Sequence, residues 1–335
     1  MFKINNHKVG NTRVFIIAEI GINHQGNLNL CKKLINQAKI SGADAVKLQI
    51  SDPEFSYCKD TVSYKIFKKN LLSFKQLKKI SAYSKKKKIT LFATPGDFQS
   101  LEIIKKLNFP AIKISSGLLT NEALIYEIAK FKKPIIFSTG MAFIGEIERI
   151  TSILKKCKNK NYAILKCTSL YPCPPNFVNL KSLINLKKKF PNIPIGYSDH
   201  TNGIESCVAA AACGAKIIEK HLTLNKNLKV PDQKVSCTPL EFKNLVEKIR
   251  YIEKIMGREN VFPTKLEIKK RSLNHRSIIT VKKIFKGEIF SKNNVALKRT
   301  GSHQKGLHPK YFFKILGKKS KFSLNRDARI DKKHF

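Results

Sequence analysis

The feature that most restricts this 335-residue sequence is a rhythm. Short β-rich runs recur at even intervals: 14–19, 45–49, 89–93, 111–114, 134–138, 162–167, 193–197 and 215–220. Between them lie stretches of helical period, such as Leu28, Cys31, Leu34, Ile35 and Ala38, or Leu240, Phe242, Leu245, Val246, Ile249 and Ile252. Gly42 and Gly214 stand just before strands, where a helix C-terminus is expected. Eight alternating units over about 255 residues match the size of a (β/α)8 TIM barrel, with an open, doubly wound sheet as the competitor.

Polar residues at the strand ends favour the barrel. Glu19, Lys47 and Gln49, Thr94, Lys113 and Ser116, Ser138, Lys166 and Thr168, Ser198 to His200, and Glu219 with His221 all stand in apolar surroundings. One such end is ordinary, whereas convergence of all eight predicts a ring of functional groups at the C-terminal mouth. Alternation places Lys47 with Gln49, and Glu219 with His221, on common strand faces. After Gly257 the pattern changes. We expect an α/β barrel domain over 1–258, a polar, broken linker over 259–275, and a small, mostly β domain over 276–335. A domain that small buries little surface alone and is expected to dock on something larger.

The mouth residues carry chemistry. His200 and His221 end consecutive strands, which are neighbours in a closed barrel, so both imidazoles could reach one divalent cation with open positions. Unrelated hydrogen-bonded histidines are the alternative for either ring alone. Lys47 and Lys113 lie inside strands, and a buried ammonium needs a partner, either an anionic ligand or a carboxylate such as Glu19. Ser116-Gly117, Ser138-Thr139-Gly140 and Ser198 add the hydroxyls and close-approach backbone of a phosphate or carboxylate cradle. Glu19 is read either as a general acid–base group or as a salt-bridge partner of Lys47.

Composition narrows the function. The 65 Lys and Arg outnumber 23 Asp and Glu, a formal charge of +42, yet only about nine of the 65 are Arg, the side chain that nucleic-acid recognition leans on. The excess is also spread along the chain, and runs such as Lys85–Lys88 fall where a helix should end. A Lys-biased surface is therefore preferred to a specific nucleic-acid site. The longest apolar run, 207–213, is far short of a membrane span, and residues 1–6 lack the apolar stretch of a signal peptide. Eight Cys without a CxxC pair read as reduced residues of a cytoplasmic protein.

The stretches IAEIGINHQG, GADAVKLQ, FATPGD, KISSG, STGM, LKCTSLYPCPP, GYSDHT, IIEKHLT and VPDQKVS resemble the nonulosonate (sialic acid) synthase family, of the N-acetylneuraminate synthase type. The tail HRSIITVKKIFKGEIFSKNNVALKRTG with GLHPKYF and ILGKK resembles that family's C-terminal antifreeze-like (SAF) domain. The resemblance implies condensation of phosphoenolpyruvate with an N-acylated hexosamine, N-acetylmannosamine first, giving a nine-carbon sialic acid and phosphate. It implies a divalent metal, Mn²⁺ or Mg²⁺, on His200 and His221, and catalytic carboxylates at Glu19 and Glu219. Phosphoenolpyruvate would meet Lys47, Gln49, Thr94, Lys113, Ser116, Ser138, Ser169 and Ser198. Tyr171 and Asp232 would meet the sugar, as would Arg299, which the family's small domain places in the partner's site of a domain-swapped homodimer. Leu118, Ser169 and the Val230-Pro231-Asp232-Gln233 run depart from the family pattern on the sugar side. Legionaminate or pseudaminate synthesis is the runner-up.

Overall fold

The computed structural model describes residues 1–227, 231–301 and 306–335. They form two compact units, 1–257 and 258–335. An antiparallel hairpin, Phe2–Ile4 with His7–Val9, opens the first unit. Eight parallel strands then close a barrel: β1 (Phe15–Gly21), β2 (Ala45–Ile50), β3 (Thr90–Pro95), β4 (Ile112–Ile114), β5 (Ile135–Ser138), β6 (Tyr162–Cys167), β7 (Ile195–Asp199) and β8 (Ile217–His221). The open-sheet alternative is excluded by the pairing of β8 with β1, which puts His221 opposite Glu19.

The helices follow from local rules. Leu28–Ile40 (α1) starts at Asn27, whose side chain accepts the Leu30 N–H, and buries the predicted stripe of Cys31, Leu34, Ile35 and Ala38. Between β2 and the next long helix, Phe74–Lys86 (α2), the chain inserts two short helices, Pro53–Ser56 and Val62–Lys69, which wall the mouth. The circuit continues with Phe98–Lys106 (α3), Glu122–Lys130 (α4), Ile144–Lys156 (α5), Lys181–Lys189 (α6) and Glu205–Ala212 (α7). It ends with Pro239–Ile255 (α8), which opens with a Thr238/Glu241 capping box and buries Phe242, Leu245, Val246 and Ile249. Burying each of these side chains contributes roughly 1.5–3 kcal/mol.

The second unit pairs β9 (Arg276–Thr280) with β10 (Val295–Arg299) in antiparallel register. Ile278, Ile284, Phe290, Val295, Leu307, Ile315, Leu324 and Ile330 form its core. The expected broken linker is corrected: Lys265–Asn274 is a helix, α9, opened by a Thr264/Glu267 capping box. Among the described residues no helix is long and apolar enough to cross a membrane.

Candidate active site at the barrel mouth

A cavity of about 510 Å³ opens at the C-terminal ends of the strands. Lys47, Gln49, Thr94, Lys113, Ser116, Ser138, Ser169, Tyr171, Ser198, His200, Glu219, His221 and Asp232 all line it. Glu19 does not line it but meets Lys47, with Oε2 2.6 Å from Nζ. Arg299 lies in the second unit, exposed at the end of β10. Val230 falls outside the described residues.

Two buried lysines and two buried glutamates interlock here. Lys47 Nζ also stands 3.8 Å from Glu219 Oε2. Lys113 Nζ lies 3.5 Å from Glu219 Oε1 and donates to Ser138 Oγ at 2.6 Å. Ser198 donates to Glu219 at 2.9 Å, fixed by the direct β7–β8 pairing of these two residues. Burial lifts the Glu19 carboxyl to about 7, with Glu219 adding to the rise and Lys47 opposing it. Burial would raise Glu219 as well, but Lys113, Lys47 and Ser198 together hold it below the usual carboxylate range. Burial likewise works against the Lys47 ammonium, yet Glu19 and Glu219 keep it above its ordinary value. Of the two partners expected for the buried ammonium groups, the carboxylates are present: Glu19 and Glu219 pair with Lys47, and Glu219 with Lys113. With Asp232, three carboxyl groups face two ammonium groups in this part of the mouth.

The histidines meet as expected. Their ring centroids are 5.4 Å apart, and Tyr171 lies over His200 at 4.0 Å. His200 Nδ1 is 2.9 Å from the Thr168 carbonyl, which can only accept, so the neutral ring keeps its Nε2 lone pair free. His221 Nδ1 is buried without a hydrogen-bond partner, 3.6 Å from Asp232 Oδ2, also buried and unpartnered. Gly21 makes room for this carboxylate: a Cβ there would lie 2.6 Å from Asp232 Oδ2, at a φ of +52°.

The loops after β4, β5 and β6 form a small-residue cradle. The Gly140 N–H donates to Ser116 Oγ at 2.9 Å, and a Cβ on Gly140 would come within 2.1 Å of Ser169 Oγ and 2.7 Å of Ser116 Oγ. Only glycine permits three such groups to crowd together.

Three strand-end residues, Lys166, Thr168 and Asp199, belong elsewhere. Lys166 and Asp199 alternate with the cavity-lining Cys167 and with Ser198 and His200, and face away from the mouth. Lys166 bonds Thr168 Oγ1 and the Val178 carbonyl. Asp199 binds Lys220 at 2.6 Å, Tyr197 OH at 2.8 Å and Thr201 Oγ1 at 3.0 Å, with Cys207 of α7 against it. Cys167, not singled out from the sequence as a site residue, also lines the cavity, 3.6 Å from His200 Nδ1. Its pairing with Ser198 turns it inward, and no signal in the sequence shows that register.

A closed parallel barrel with a charged cavity at the C-terminal ends of its strands has the architecture of a (β/α)8-barrel enzyme. The model of the NeuB family matches residues 34–261, and the chain belongs to this family, the sialic acid synthases. It is 39% identical to the N,N'-diacetyllegionaminic acid synthase of Campylobacter jejuni, over 95% of this chain and 99% of that protein. It is 34% identical to human N-acetylneuraminate-9-phosphate synthase, over 94% of this chain and 91% of the relative. The crystal structure of the N-acetylneuraminic acid (sialic acid) synthetase of Leptospira borgpetersenii, in complex with citrate, superposes with a TM-score of 0.77. That match has 36% identity and covers 81% of this chain and 94% of the other.

Proposed function

We propose that this nonulosonate synthase condenses phosphoenolpyruvate with an N-acylated hexosamine, N-acetylmannosamine first among them, giving N-acetylneuraminate and phosphate. The observation that carries this reading is the joined network of Glu19, Lys47, Glu219 and Lys113, of which the lysines and Glu219 line one cavity with two imidazoles 5.4 Å apart. Identity to the Campylobacter legionaminate enzyme favours the second reading, a modified hexosamine acceptor.

The donor set fits a divalent cation. His200 presents a free Nε2, while His221 Nδ1 and Asp232 Oδ2 are buried without partners. His200 and His221 would hold Mn²⁺ or Mg²⁺, which when bound supplies Lewis acidity to the sugar's aldehyde oxygen. Among the described residues no three His, Cys, Asp or Glu side chains form a metal cluster, so a cation held by the two imidazoles would draw its further ligands from water or substrate.

The chain's own groups do the rest. Lys47, Lys113 and Ser138, with the Ser116–Gly140 cradle, bind the phosphate and carboxylate and aim C3 of the enol at the aldehyde carbon. Glu19 holds the water that adds at C2 and takes its proton at the carboxylate. Lys113 stabilises the phosphate that departs with C–O cleavage.

The second unit is read as an antifreeze-like domain whose Arg299 completes the partner's site in a domain-swapped homodimer. Eight free cysteines accord with work in the cytoplasm. A mass-spectrometric screen of N-acylated hexosamines with phosphoenolpyruvate and Mn²⁺ tests the function. A nine-carbon acid product is expected; consumption of phosphoenolpyruvate with no such product would reject it.

A further inference from the structure

The segment that carries Asp232 is tied to the loop after β1 by a buried amide. Asn23, the second residue after that strand, is 0% exposed and does not line the cavity. Its Nδ2 donates to the Leu222 carbonyl at 2.9 Å and to Ser236 Oγ at 3.0 Å. A carbonyl can only accept, so the nitrogen of the amide, not its oxygen, faces Leu222. The Ser236 hydroxyl accepts from Asn23 and donates to the Asp232 carbonyl at 2.6 Å. Backbone bonds lay the same segment along the end of β8: the Cys237 N–H donates to the His221 carbonyl at 2.8 Å, and the Thr223 N–H to the Cys237 carbonyl at 2.9 Å. These bonds fix Cys237, and the Ser236 side chain carries the hold back to Asp232.

Asn23 Oδ1 is buried without a hydrogen-bond partner. An orphaned acceptor costs folding free energy that an apolar side chain of similar size would not, so packing alone does not explain an amide at this place. What the amide supplies is a relay from Asn23 through Ser236 to Asp232, whose Oδ2 lies 3.6 Å from His221 Nδ1. Resting on the reading that Asp232 meets the acceptor sugar, we propose that Asn23 is a positioning residue for the acceptor: through Ser236 it holds the turn Pro231–Val235 so that the Asp232 carboxylate faces the His221 ring. Asn23 touches no substrate. It acts on the sugar through Asp232, and the phosphoenolpyruvate groups Lys47, Lys113 and Ser138 stand outside its relay.

The test is a double-mutant cycle on the full chain, with the N-acylated hexosamine that the wild type turns over fastest in the screen above. Asn23→Leu should lower the acceptor kcat/KM roughly tenfold while the phosphoenolpyruvate KM stays within about twofold. Ser236→Ala cuts the relay without touching the Leu222 carbonyl and should lower the acceptor kcat/KM in the same direction, which keeps the proposal testable if Asn23→Leu folds poorly. In an Asp232→Ala background, Asn23→Leu should cost less than about a further twofold, because the group it positions is gone. The same tenfold loss in both backgrounds would mean that Asn23 supports the fold and not Asp232, and would overturn the proposal. So would an acceptor kcat/KM within twofold of wild type in both Asn23→Leu and Ser236→Ala. An Asp232→Ala chain with unchanged acceptor kcat/KM would instead sink the reading of Asp232 beneath the proposal, so the two failures are told apart.

Discussion

Lys220 and Asp199 directly precede His221 and His200 in sequence, and both side chains are 0% exposed. Besides Asp199, the ammonium donates to the Thr201 carbonyl at 2.6 Å. Lys220→Met keeps most of the stem and removes the charge. Asp199 would retain Tyr197 OH, Thr201 Oγ1 and the Thr201 N–H, but no cation. Stripping one partner from a buried ion pair costs about 3–5 kcal/mol, and the three surviving donors hold the loss near the lower end. At about 2–4 °C per kcal/mol for a domain of this size, calorimetry in chelator should place the melt roughly 6–12 °C below wild type. Chelator removes any stabilisation by bound metal. Lys220→Met combined with Asp199→Asn should recover at least about 2 kcal/mol, because an amide needs no counter-charge. A single variant melting within 2 °C of wild type, or a double variant as low as the single, would refute the idea that this pair pins the histidine-bearing strand ends.

Three further outcomes are expected. Glu19→Gln should lower turnover by about 10²-fold or more while calorimetric titration finds phosphoenolpyruvate affinity nearly unchanged; unchanged turnover would remove Glu19 from the chemistry. His24, at about 4 folded against 6.5 unfolded, favours the folded state fully above pH 6.5. As pH falls from 6.5 towards 4, the unfolded chain binds the extra proton and about 3 kcal/mol is lost. Urea melts of His24→Gln should lack that slope, and equal slopes would contradict it. Mixing Arg299→Ala chains with chains inactivated by His200→Ala should restore activity in mixed dimers if Arg299 acts in trans; absence of complementation would refute the swap.

The barrel was legible because its strands are short apolar runs with a polar end. The mouth was legible wherever that end carries one chemistry-bearing residue, as at Thr94, Lys113 and Ser138. It failed where polar residues are consecutive. In Lys166-Cys167-Thr168 and Ser198-Asp199-His200, both faces of the strand are buried, so apolar patterning does not say which residue points inward. Cys167 and Ser198 point inward, and Lys166 and Asp199 do not. Pairing partners were equally hidden: nothing in the spacing said that Glu219 would serve both Lys47 and Lys113. The helix 265–274 is polar nearly all round and gave no periodic signal, although Thr264-Lys265-Leu266-Glu267 is a readable capping box. That His24 shares a cavity wall with Phe67 of the inserted helix 62–69 is a tertiary fact with no local trace.

The most direct test of the account is phosphate release from phosphoenolpyruvate by the full chain, measured with metal and N-acylated hexosamine each present or withheld, and repeated with His200→Ala. Release is expected only when metal and both substrates are present, with ¹⁸O from the bridging C–O position appearing in the phosphate, and none from the variant. Release without the sugar or metal, label retained in the acid, or full activity in His200→Ala would contradict it.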